Sequence, residues 1–297
     1  MMYDVIIIGA GPAGITAGIY CQRANLKTII FEKETIGGQI SSSPLVENFP
    51  GFHSISGANI ANNLYEQAEG LGIPIEIEEV LNIIPGKPNK VVTDCGEYET
   101  KTVIIATGSK YRLLGLPNET DLIGKGIHFC TSCDGAFFKG KDIAIIGGGN
   151  TAVTNAIYMA NLSTKVYLIN IGDRLTCEKT LEDKVKKLDN VEIILNTGVK
   201  EILGSEELEG IILTNDQKLN ISGMFISIGM SAQTDMVKDT IELNDQKYII
   251  SDDCSTNKEG IFVAGDCRTK DVRQLTTAVA DGTIAAISAM KYIENNQ

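Results

Sequence analysis

Two apolar runs and the segment between them predict a βαβ unit at the start of the chain. Residues 3–8 (YDVIII) form an unbroken run rich in β-branched residues, which is typical of a parallel strand buried on both faces. A helical stretch extends from the following glycines to about residue 25, and residues 27–31 (KTIIF) predict the next strand. The beginning of the chain is therefore expected to have an α/β fold.

The same order recurs in the middle of the chain. Residues 142–146 (DIAII) and 165–169 (KVYLI) predict strands on either side of a helix over residues 151–161. Shorter β-like runs stand at residues 102–105, 191–195, 208–213, 224–228 and 261–264, and a long helix is expected over residues 274–293. No low-complexity linker separates the two units. Two dinucleotide-type folds in one chain are the expected architecture.

Each predicted unit carries a glycine-rich turn after its first strand. Gly9, Gly11 and Gly14 form G-x-G-x-x-G, in which the glycines permit a tight turn, close approach of a pyrophosphate and close helix–strand packing. The helix N-terminus then attracts phosphate, and Glu32 ends the second strand, where an acid accepts ribose hydroxyls. The first turn is therefore predicted to bind a dinucleotide.

The second turn, G-x-G-x-x-A from Gly147 to Ala152, leaves two interpretations open. It either binds a nucleotide or keeps its glycines because helix and strand must pack closely.

Charge and composition narrow the functional classes. With 297 residues, 43% of them hydrophobic, the chain can bury two ordinary domain cores. The net charge of −12 disfavours a nucleic-acid binder or a polybasic membrane-surface protein. No apolar run is long enough to span a bilayer, and the first apolar run leads into the glycine turn rather than a cleavage site. A cytoplasmic protein without nucleic-acid or membrane partners is expected.

The second chemical signal is Cys130-Thr-Ser-Cys133, followed by Asp134. Two thiols at this spacing close a small reversible disulfide. A metal site would need a second ligand pair, and none of the other five cysteines forms one, so no metal is predicted. Those five are expected to be small buried residues. Asp134 is either a proton relay for thiol exchange or a turn residue.

These motifs, in this order, resemble the low-molecular-weight thioredoxin reductases, and the resemblance runs from end to end. The segments that carry it are DVIIIGAGPAGITAGIY, IGGQI, VENFPGF, VIIATGS, CTSCDG, IAIIGGGNTA, ISIGM, GIFVAGDCR and RQL. The resemblance implies a flavoprotein disulfide reductase that binds FAD, reduces thioredoxin and assembles as a homodimer. It also implies two Rossmann-like three-layer domains, the second inserted in the first. The FAD domain would comprise residues 1–113 and 245–297, and the inserted domain residues 114–244.

The resemblance assigns roles to individual residues. Cys133 would lie beside the flavin, and Cys130 would attack the disulfide of the protein substrate. Asp134, from its position after Cys133, is taken as the third catalytic residue. The residues implied to bind FAD are Gly9, Gly11, Pro12, Ala13, Gly14, Phe31, Glu32, Lys33, Gly38, Gln39, Asn48, Ala106, Thr107, Gly108, Gly265, Asp266, Arg273, Gln274 and Leu275.

One departure from the family concerns the electron donor. NADPH-dependent members carry a histidine and two arginines after the second strand of the inserted domain, where guanidinium groups bind the 2′-phosphate. Here that position begins with Asn170 and Ile171, and only Arg174 remains nearby, next to the repelling Asp173. In this respect the chain resembles the ferredoxin-dependent flavin thioredoxin reductases of anaerobes, so reduced ferredoxin is the expected donor.

Two alternatives stay open: an NADPH-dependent enzyme, and a flavin redox sensor without turnover. An acidic ferredoxin would need a local basic surface. The nearest candidates also fit an ordinary solvated helix face; they are Arg174, Lys179, Lys184, Lys186 and Lys187.

Overall fold

The chain divides into two compact units in the computed structural model, which describes residues 2–296. The first unit comprises the residues up to Lys110 and those from Ser231, and the second is Tyr111–Met230. The C-terminal part of the first unit thus begins earlier than residue 245, where the sequence places it. Val237 and Ile241 are buried in the same apolar cluster as Val263, so this segment belongs to the first core.

The first unit is built on a seven-stranded sheet. Its strands are β1 (Met2–Ile8), β2 (Thr28–Glu32), β3 (Ile75–Ile77), β4 (Val80–Ile84), β5 (Asn89–Thr93), β6 (Glu97–Ile105) and β17 (Ile261–Val263). The order is β3-β2-β1-β6-β5-β4. The first half of β6 pairs antiparallel with β5, and its last three residues pair parallel with β17. The strands β1, β2, β3, β6 and β17 are therefore parallel, and their carboxyl ends meet at one edge.

Three helices belong to the first unit: α1 (Pro12–Arg23), α2 (Gly57–Gly70) and α6 (Leu275–Asn295). Alternate residues of β1 enter different cores. Val5 and Ile7 pack with residues of α1 and α6, whereas Ile6 and Ile8 pack on the opposite face. This two-sided burial explains why the strand has no polar alternation in its sequence.

The second unit contains a five-stranded, fully parallel sheet of order β11-β10-β9-β15-β8. Its strands are β8 (Ile127–His128), β9 (Asp142–Ile146), β10 (Lys165–Ile169), β11 (Val191–Ile194) and β15 (Gly223–Ile226). The helices are α3 (Thr131–Asp134), α4 (Asn150–Ala160) and α5 (Lys179–Val185). A separate antiparallel sheet contains β12 (Val199–Leu203), β13 (Gly210–Leu213) and β14 (Lys218–Leu219). The sheet of β9 is buried on both faces, since Ile143 and Ala144 enter different apolar clusters.

The remaining two strands, β7 (Ser109–Tyr111) and β16 (Met230–Ala232), form a two-stranded sheet where the chain passes from one unit to the other. The predicted α/β class with two Rossmann-like folds is confirmed. The strands at residues 142–146 and 165–169 have the predicted bounds, and the other principal elements differ by a few residues at their ends. Among residues 2–296, no helix combines the length and apolar composition that a bilayer crossing requires.

Candidate functional site

The glycines of the turn between β1 and α1 have two different roles. A Cβ on Gly14 would lie 1.8 Å from the carbonyl oxygen of Gly9, so helix and turn are packed as closely as backbone permits. Gly9 has φ +106° and lies against Ala106. A Cβ on Gly11 would meet no neighbour closer than 4.0 Å. The protein itself does not need glycine there, which leaves room for a ligand at the N-terminus of α1.

The other segments predicted to bind FAD meet at the carboxyl ends of the parallel strands. Gly9–Gly14 follows β1, Lys33 follows β2, residues 106–108 follow β6, and residues 265–266 follow β17. Backbone hydrogen bonds join the strand ends: Gly9 N–H donates to Phe31, and Ala106 N–H donates to Ile8. Ligands of open α/β sheets bind at this edge.

The segments between the strands reach the same region. Gly38 and Gln39 lie in a short 3₁₀ helix, and the N–H of the preceding Gly37 donates to Ala10 in the glycine turn. The side-chain amide of Gln39 donates to the carbonyl of Ser109. Asn48 Nδ2 donates to Gln274 Oε1 at 3.4 Å, just before α6 begins at Leu275. Most of the predicted cofactor residues are therefore neighbours in one unit.

Several of these residues already have protein partners. The Phe31 ring is 1% exposed and packs on Tyr98 with ring centroids 4.7 Å apart, so it contributes backbone rather than side chain to the edge. Glu32 accepts the backbone N–H groups of Ala10, at 2.8 Å, and Glu34, at 2.9 Å. Glu32 thus ties the end of β2 to the glycine turn, and each of its oxygens keeps a second lone pair.

Arg273, Lys33 and Thr107 also make contacts within the protein. The Arg273 guanidinium lies 4.2 Å from the centroid of the Tyr248 ring and donates to backbone carbonyls. Lys33 pairs with Glu79 at 3.7 Å. The Thr107 hydroxyl donates to the carbonyl of Gln233, a residue of the C-terminal segment. These three side chains thus hold loops of the edge together.

A buried charge network beneath Gly265 was not foreseen from the sequence. Asp281, in the interior of α6, accepts hydrogen bonds from Arg268, from Lys270 Nζ at 3.0 Å and from Gly265 N–H at 3.0 Å. Burial by itself would raise the pKa of Asp281, but the hydrogen bonds from Arg268 and Lys270 outweigh it and lower the pKa. The signal in the sequence is an acid among the apolar residues of a long helix.

Asp266, held above this network, has an unsatisfied oxygen. Its Oδ1 is buried and accepts no hydrogen bond, with Lys270 Nζ 3.5 Å away. Burial raises the pKa of this carboxyl, against the opposing effect of Lys270. A buried carboxylate oxygen that Lys270 approaches only to 3.5 Å, at the same strand edge as the open Gly11, fits a ligand with hydroxyl and pyrophosphate groups. The residues present therefore fit FAD.

The redox pair lies in the second unit and is closed. Cys130 and Cys133 form a disulfide with an S–S length of 2.07 Å and a Cα–Cα distance of 5.3 Å. Cys130 precedes α3, Cys133 lies within it and is exposed, and the Ser132 hydroxyl is 3.3 Å from Cys130 Sγ. The pair is thus held within a single turn.

Asp134 lies in the same turn and has a buried partner. Its Oδ2 is 2.9 Å from Nδ1 of His128, and its Oδ1 is buried without a hydrogen-bond partner. His128 lies two residues before Cys130, which is a poor spacing for a pair of zinc ligands, so the sequence assigns it no role. Its contact with Asp134 depends on the packing of β8 against α3 and has no signature in the spacing.

Three of the five remaining cysteines are buried, as expected, and two are not. Burial raises the pKa of Cys21 and of Cys254 to about 12, and it also raises that of Cys267. The prediction was wrong for Cys95, which is exposed, and for Cys177, which is half-buried.

The second glycine turn is covered by the chain itself. A Cβ on Gly148 would lie 2.5 Å from the amide group of Asn170, so that side chain rests directly on the turn. Asn170 Nδ2 donates to the carbonyl of Arg174 at 2.8 Å, and Thr176 N–H donates to the carbonyl of Gly148 at 2.8 Å. Ile171, at the next position, is 80% exposed.

The lysines of the candidate basic surface lie on and after α5 among acids. Lys179 pairs with Glu182 and with Asp183, each at 3.2 Å, and Lys186 pairs with Glu182. These pairs offset much of the positive charge, so the surface is mixed rather than strongly basic.

Known proteins resemble the chain over its full length. The family model described as pyridine nucleotide-disulphide oxidoreductase matches residues 3–282. The "34.2 kDa protein in rubredoxin operon" of Clostridium pasteurianum is 43% identical over 98% of this chain and 97% of its own. The thioredoxin reductase of Bacillus subtilis is 39% identical over 100% of this chain and 96% of its own.

Solved structures agree in fold. The thioredoxin reductase of Streptococcus pyogenes superposes with a TM-score of 0.95 at 40% identity, covering 99% of both chains. That of Giardia duodenalis gives 0.93 at 31% identity, again over 99% of both chains. This chain therefore belongs to the pyridine nucleotide-disulphide oxidoreductase family, among its thioredoxin reductases, which are FAD flavoproteins.

Proposed function

We propose that this flavoprotein reduces the disulfide of a thioredoxin through the Cys130–Cys133 pair, with reduced ferredoxin as its electron donor. The disulfide of that pair, carried in one helical turn, is the observation on which the proposal rests. A dithiol relay requires a reversible disulfide and a flavin, and this chain has a disulfide at C-x-x-C spacing in its second unit and a first unit that fits FAD. Relatives named thioredoxin reductase support thioredoxin as the substrate.

The chain's own residues account for the exchange steps. FAD, when bound, supplies the two electrons that open the Cys130–Cys133 disulfide. Cys130 then attacks the substrate disulfide as a thiolate, forming a mixed disulfide, and Cys133 displaces the substrate and restores the internal bond. The Ser132 hydroxyl, 3.3 Å from Cys130 Sγ, can donate to that thiolate. Asp134, in the same turn, exchanges the proton.

The residues implied to hold FAD stay a prediction that the geometry supports. The open space at Gly11 and the N-terminus of α1 suit the pyrophosphate. The free lone pairs of Glu32 suit ribose hydroxyls, and the unsatisfied Oδ1 of Asp266 suits a further hydroxyl of the cofactor. Phe31 would contribute through its backbone.

Ferredoxin is favoured as donor because the second unit lacks a phosphate clamp. The Asn170 side chain packs on Gly148, and its amide nitrogen donates a hydrogen bond to the carbonyl of Arg174. Ile171 offers an exposed apolar side chain where a cation would be needed. Recognition of a 2′-phosphate depends on charge-assisted, often bidentate hydrogen bonds, which these side chains cannot supply. NADPH stays the alternative donor, because the backbone of the glycine turn is intact.

An anaerobic spectral titration tests both parts. The oxidised protein is mixed in turn with NADPH, NADH and reduced ferredoxin, and the flavin absorbance is followed before thioredoxin is added. Bleaching by ferredoxin alone, followed by reduction of thioredoxin, is the expected result. Rapid stoichiometric bleaching at low NADPH would overturn the ferredoxin assignment. Bleaching without disulfide reduction by any donor would favour a redox sensor.

Assembly as a homodimer and residence in the cytoplasm are further predictions from the resemblance. Light scattering coupled to size-exclusion chromatography tests the first, since a dimer has twice the 32.0 kDa mass of one chain.

A further inference from the structure

His128 is an imidazole buried beside the redox turn. It ends β8, is 6% exposed, and pairs across the sheet with Phe225 of β15. Its ring lies 5.1 Å from the Phe138 ring and 5.6 Å from the Phe225 ring, centroid to centroid. Aromatic packing on these sides holds the ring in one orientation, with Nδ1 toward Asp134. A polar ring in such a site needs a polar partner.

One oxygen of the Asp134 carboxyl group has a hydrogen-bond partner and the other has none. Oδ2 is 2.9 Å from His128 Nδ1, while Oδ1 has less than 1 Å² of exposed surface and accepts no hydrogen bond. Asp134 follows Cys133 directly, and its backbone N–H donates to the carbonyl of Cys130 at 3.0 Å. The unsatisfied oxygen therefore belongs to the same turn as both sulfurs. A buried carboxylate oxygen without a donor lowers the stability of the fold, so its presence calls for an explanation such as a catalytic role.

We propose that His128 is a positioning residue, which fixes Asp134 through an Nδ1–H···Oδ2 hydrogen bond and thereby reserves Oδ1 for proton exchange with the Cys130–Cys133 dithiol. This inference rests on the proposed disulfide-reductase function and names a second residue for its proton step. The arrangement follows the general logic in which a hydrogen bond orients an acid–base group and selects its reactive atom.

The proton step balances as follows. The reduced pair carries two thiol protons. Oδ1 takes the proton of one thiol as its sulfur attacks, and the departing substrate thiolate is protonated in turn. The second thiol loses its proton as it closes the internal disulfide, and the second substrate thiolate gains one. Two electrons and two protons pass to the substrate, and Asp134 returns to its starting state.

The neighbours of the His128 ring come from three parts of the second unit. Asp134 from α3 faces the ring of His128 directly. Phe138 also faces the ring, and Lys141 Nζ lies 5.5 Å from the centroid of the Phe138 ring. β15 presents the uncharged Phe225. Asp134 is therefore the charged group that is in direct hydrogen-bond contact with His128.

Two amide variants form a matched test. In His128→Asn the amide nitrogen lies near the position of Nδ1 and keeps a donor for Oδ2, whereas in His128→Gln the longer chain carries the amide to the position of Nε2. His128→Phe keeps the aromatic volume without a donor. Each chain is reduced with dithiothreitol, freed of it, and mixed with oxidised thioredoxin in a single turnover between pH 5 and 9. Thermal melts establish that each variant is folded.

The single-turnover rate of the Asn variant is expected to lie within about twofold of that of the unaltered protein. The rates of the Gln and Phe variants should be about tenfold lower, which is less than the full contribution of a general acid–base group. The pH dependence of the rate should therefore differ from that of the unaltered protein in the Gln and Phe variants and match it in the Asn variant. In an Asp134→Asn background, His128→Gln should cause no further loss.

A second readout needs neither donor nor thioredoxin. The reduced protein is alkylated with iodoacetamide across the same pH range, and the peptide containing Cys130 and Cys133 is quantified by mass spectrometry. The Gln and Phe variants should show a displaced alkylation profile and the Asn variant should not. If the unaltered protein fails to reduce thioredoxin but the alkylation profiles differ, the proposed function is wrong and the role of His128 stands. Identical rates and profiles in all folded variants would overturn the inference.

Discussion

Arg268 and Asp281 form a two-point ion pair in the interior of the first unit, with Nε 2.9 Å from Oδ2 and Nη2 2.8 Å from Oδ1. Asp281 Oδ2 also accepts the N–H of Gly265, so the pair fixes the turn that precedes Asp266. A helix residue thus controls the position of a loop that is sixteen residues away in sequence. The relationship ties the fold of α6 to the site predicted to hold FAD.

Asp281→Asn should destabilise the first unit and weaken FAD binding. The variant removes the negative charge that Arg268 and Lys270 share, and breaking a buried charge pair typically costs about 3 kcal/mol. Chemical denaturation at pH 7, with the FAD content of the purified protein, measures both effects. The matched control is Asp216→Asn, which removes an exposed pair with Lys200 and should leave stability unchanged. Equal stability of the two variants would contradict the role assigned to Asp281.

The same pair predicts a pH dependence. The pKa of Asp281 is lowered from its unperturbed value of 3.8, so its ionised form is favoured in the folded state. The resulting stability is present above about pH 4 and is lost as the pH falls through the lowered value. The difference in unfolding free energy between the unaltered protein and Asp281→Asn should therefore shrink as the pH is lowered from 6 to 3. A difference that grows on acidification would reverse the assigned sign.

Gly11→Ala and Gly14→Ala should fail in different ways. A methyl group at Gly11 meets no protein atom within about 4 Å, so the variant should fold, yet it would obstruct a pyrophosphate and reduce FAD affinity at least about tenfold. A methyl group at Gly14 would overlap the carbonyl of Gly9, so that variant should be unstable even without FAD. Flavin content and thermal melts separate the outcomes. Gly70→Ala, in open space on α2, is the control. Full flavin content in Gly11→Ala would exclude this turn as the pyrophosphate site.

Cys130→Ser should abolish thioredoxin reduction while FAD stays bound. The serine hydroxyl cannot form the mixed disulfide, whereas the residues predicted to bind FAD lie in the other unit and keep their contacts. Activity is measured with chemically reduced thioredoxin as the reference product, and flavin is measured by absorbance. Cys95→Ser, at an exposed cysteine outside the redox turn, should retain full activity. Turnover that survives in Cys130→Ser would show that another thiol is the attacking group.

Replacing Asn170, Ile171 and Gly172 with histidine, arginine and arginine should create affinity for NADPH. The triple variant removes the amide that covers Gly148 and adds two guanidinium groups that bind phosphate bidentately. Anaerobic bleaching of the flavin by NADPH is expected in the variant at concentrations that leave the unaltered protein oxidised. Ile171→Arg alone should have a smaller effect, since it supplies one of the two guanidinium groups and leaves Asn170 over Gly148. Equal bleaching of the unaltered protein would remove the basis for a ferredoxin donor.

The local features of this chain were decided by its sequence. The buried strands β1, β9 and β10, the two glycine turns and the Cys130–Cys133 spacing all depend on residues close together in the chain. Their periodicity and turn chemistry therefore predict them directly. The end-to-end motif order identified the family for the same reason, because each motif is a short contiguous segment.

The tertiary structure decided which charges and rings meet. Asp281 reaches Arg268 only because α6 packs under the turn after β17, and His128 reaches Asp134 only because β8 ends beside α3. The placement of residues 231–244 in the first unit depends likewise on which core buries Val237 and Ile241. The energy of a buried polar group is set by the partners that packing brings to it, and hydrophobic periodicity carries no information about those partners.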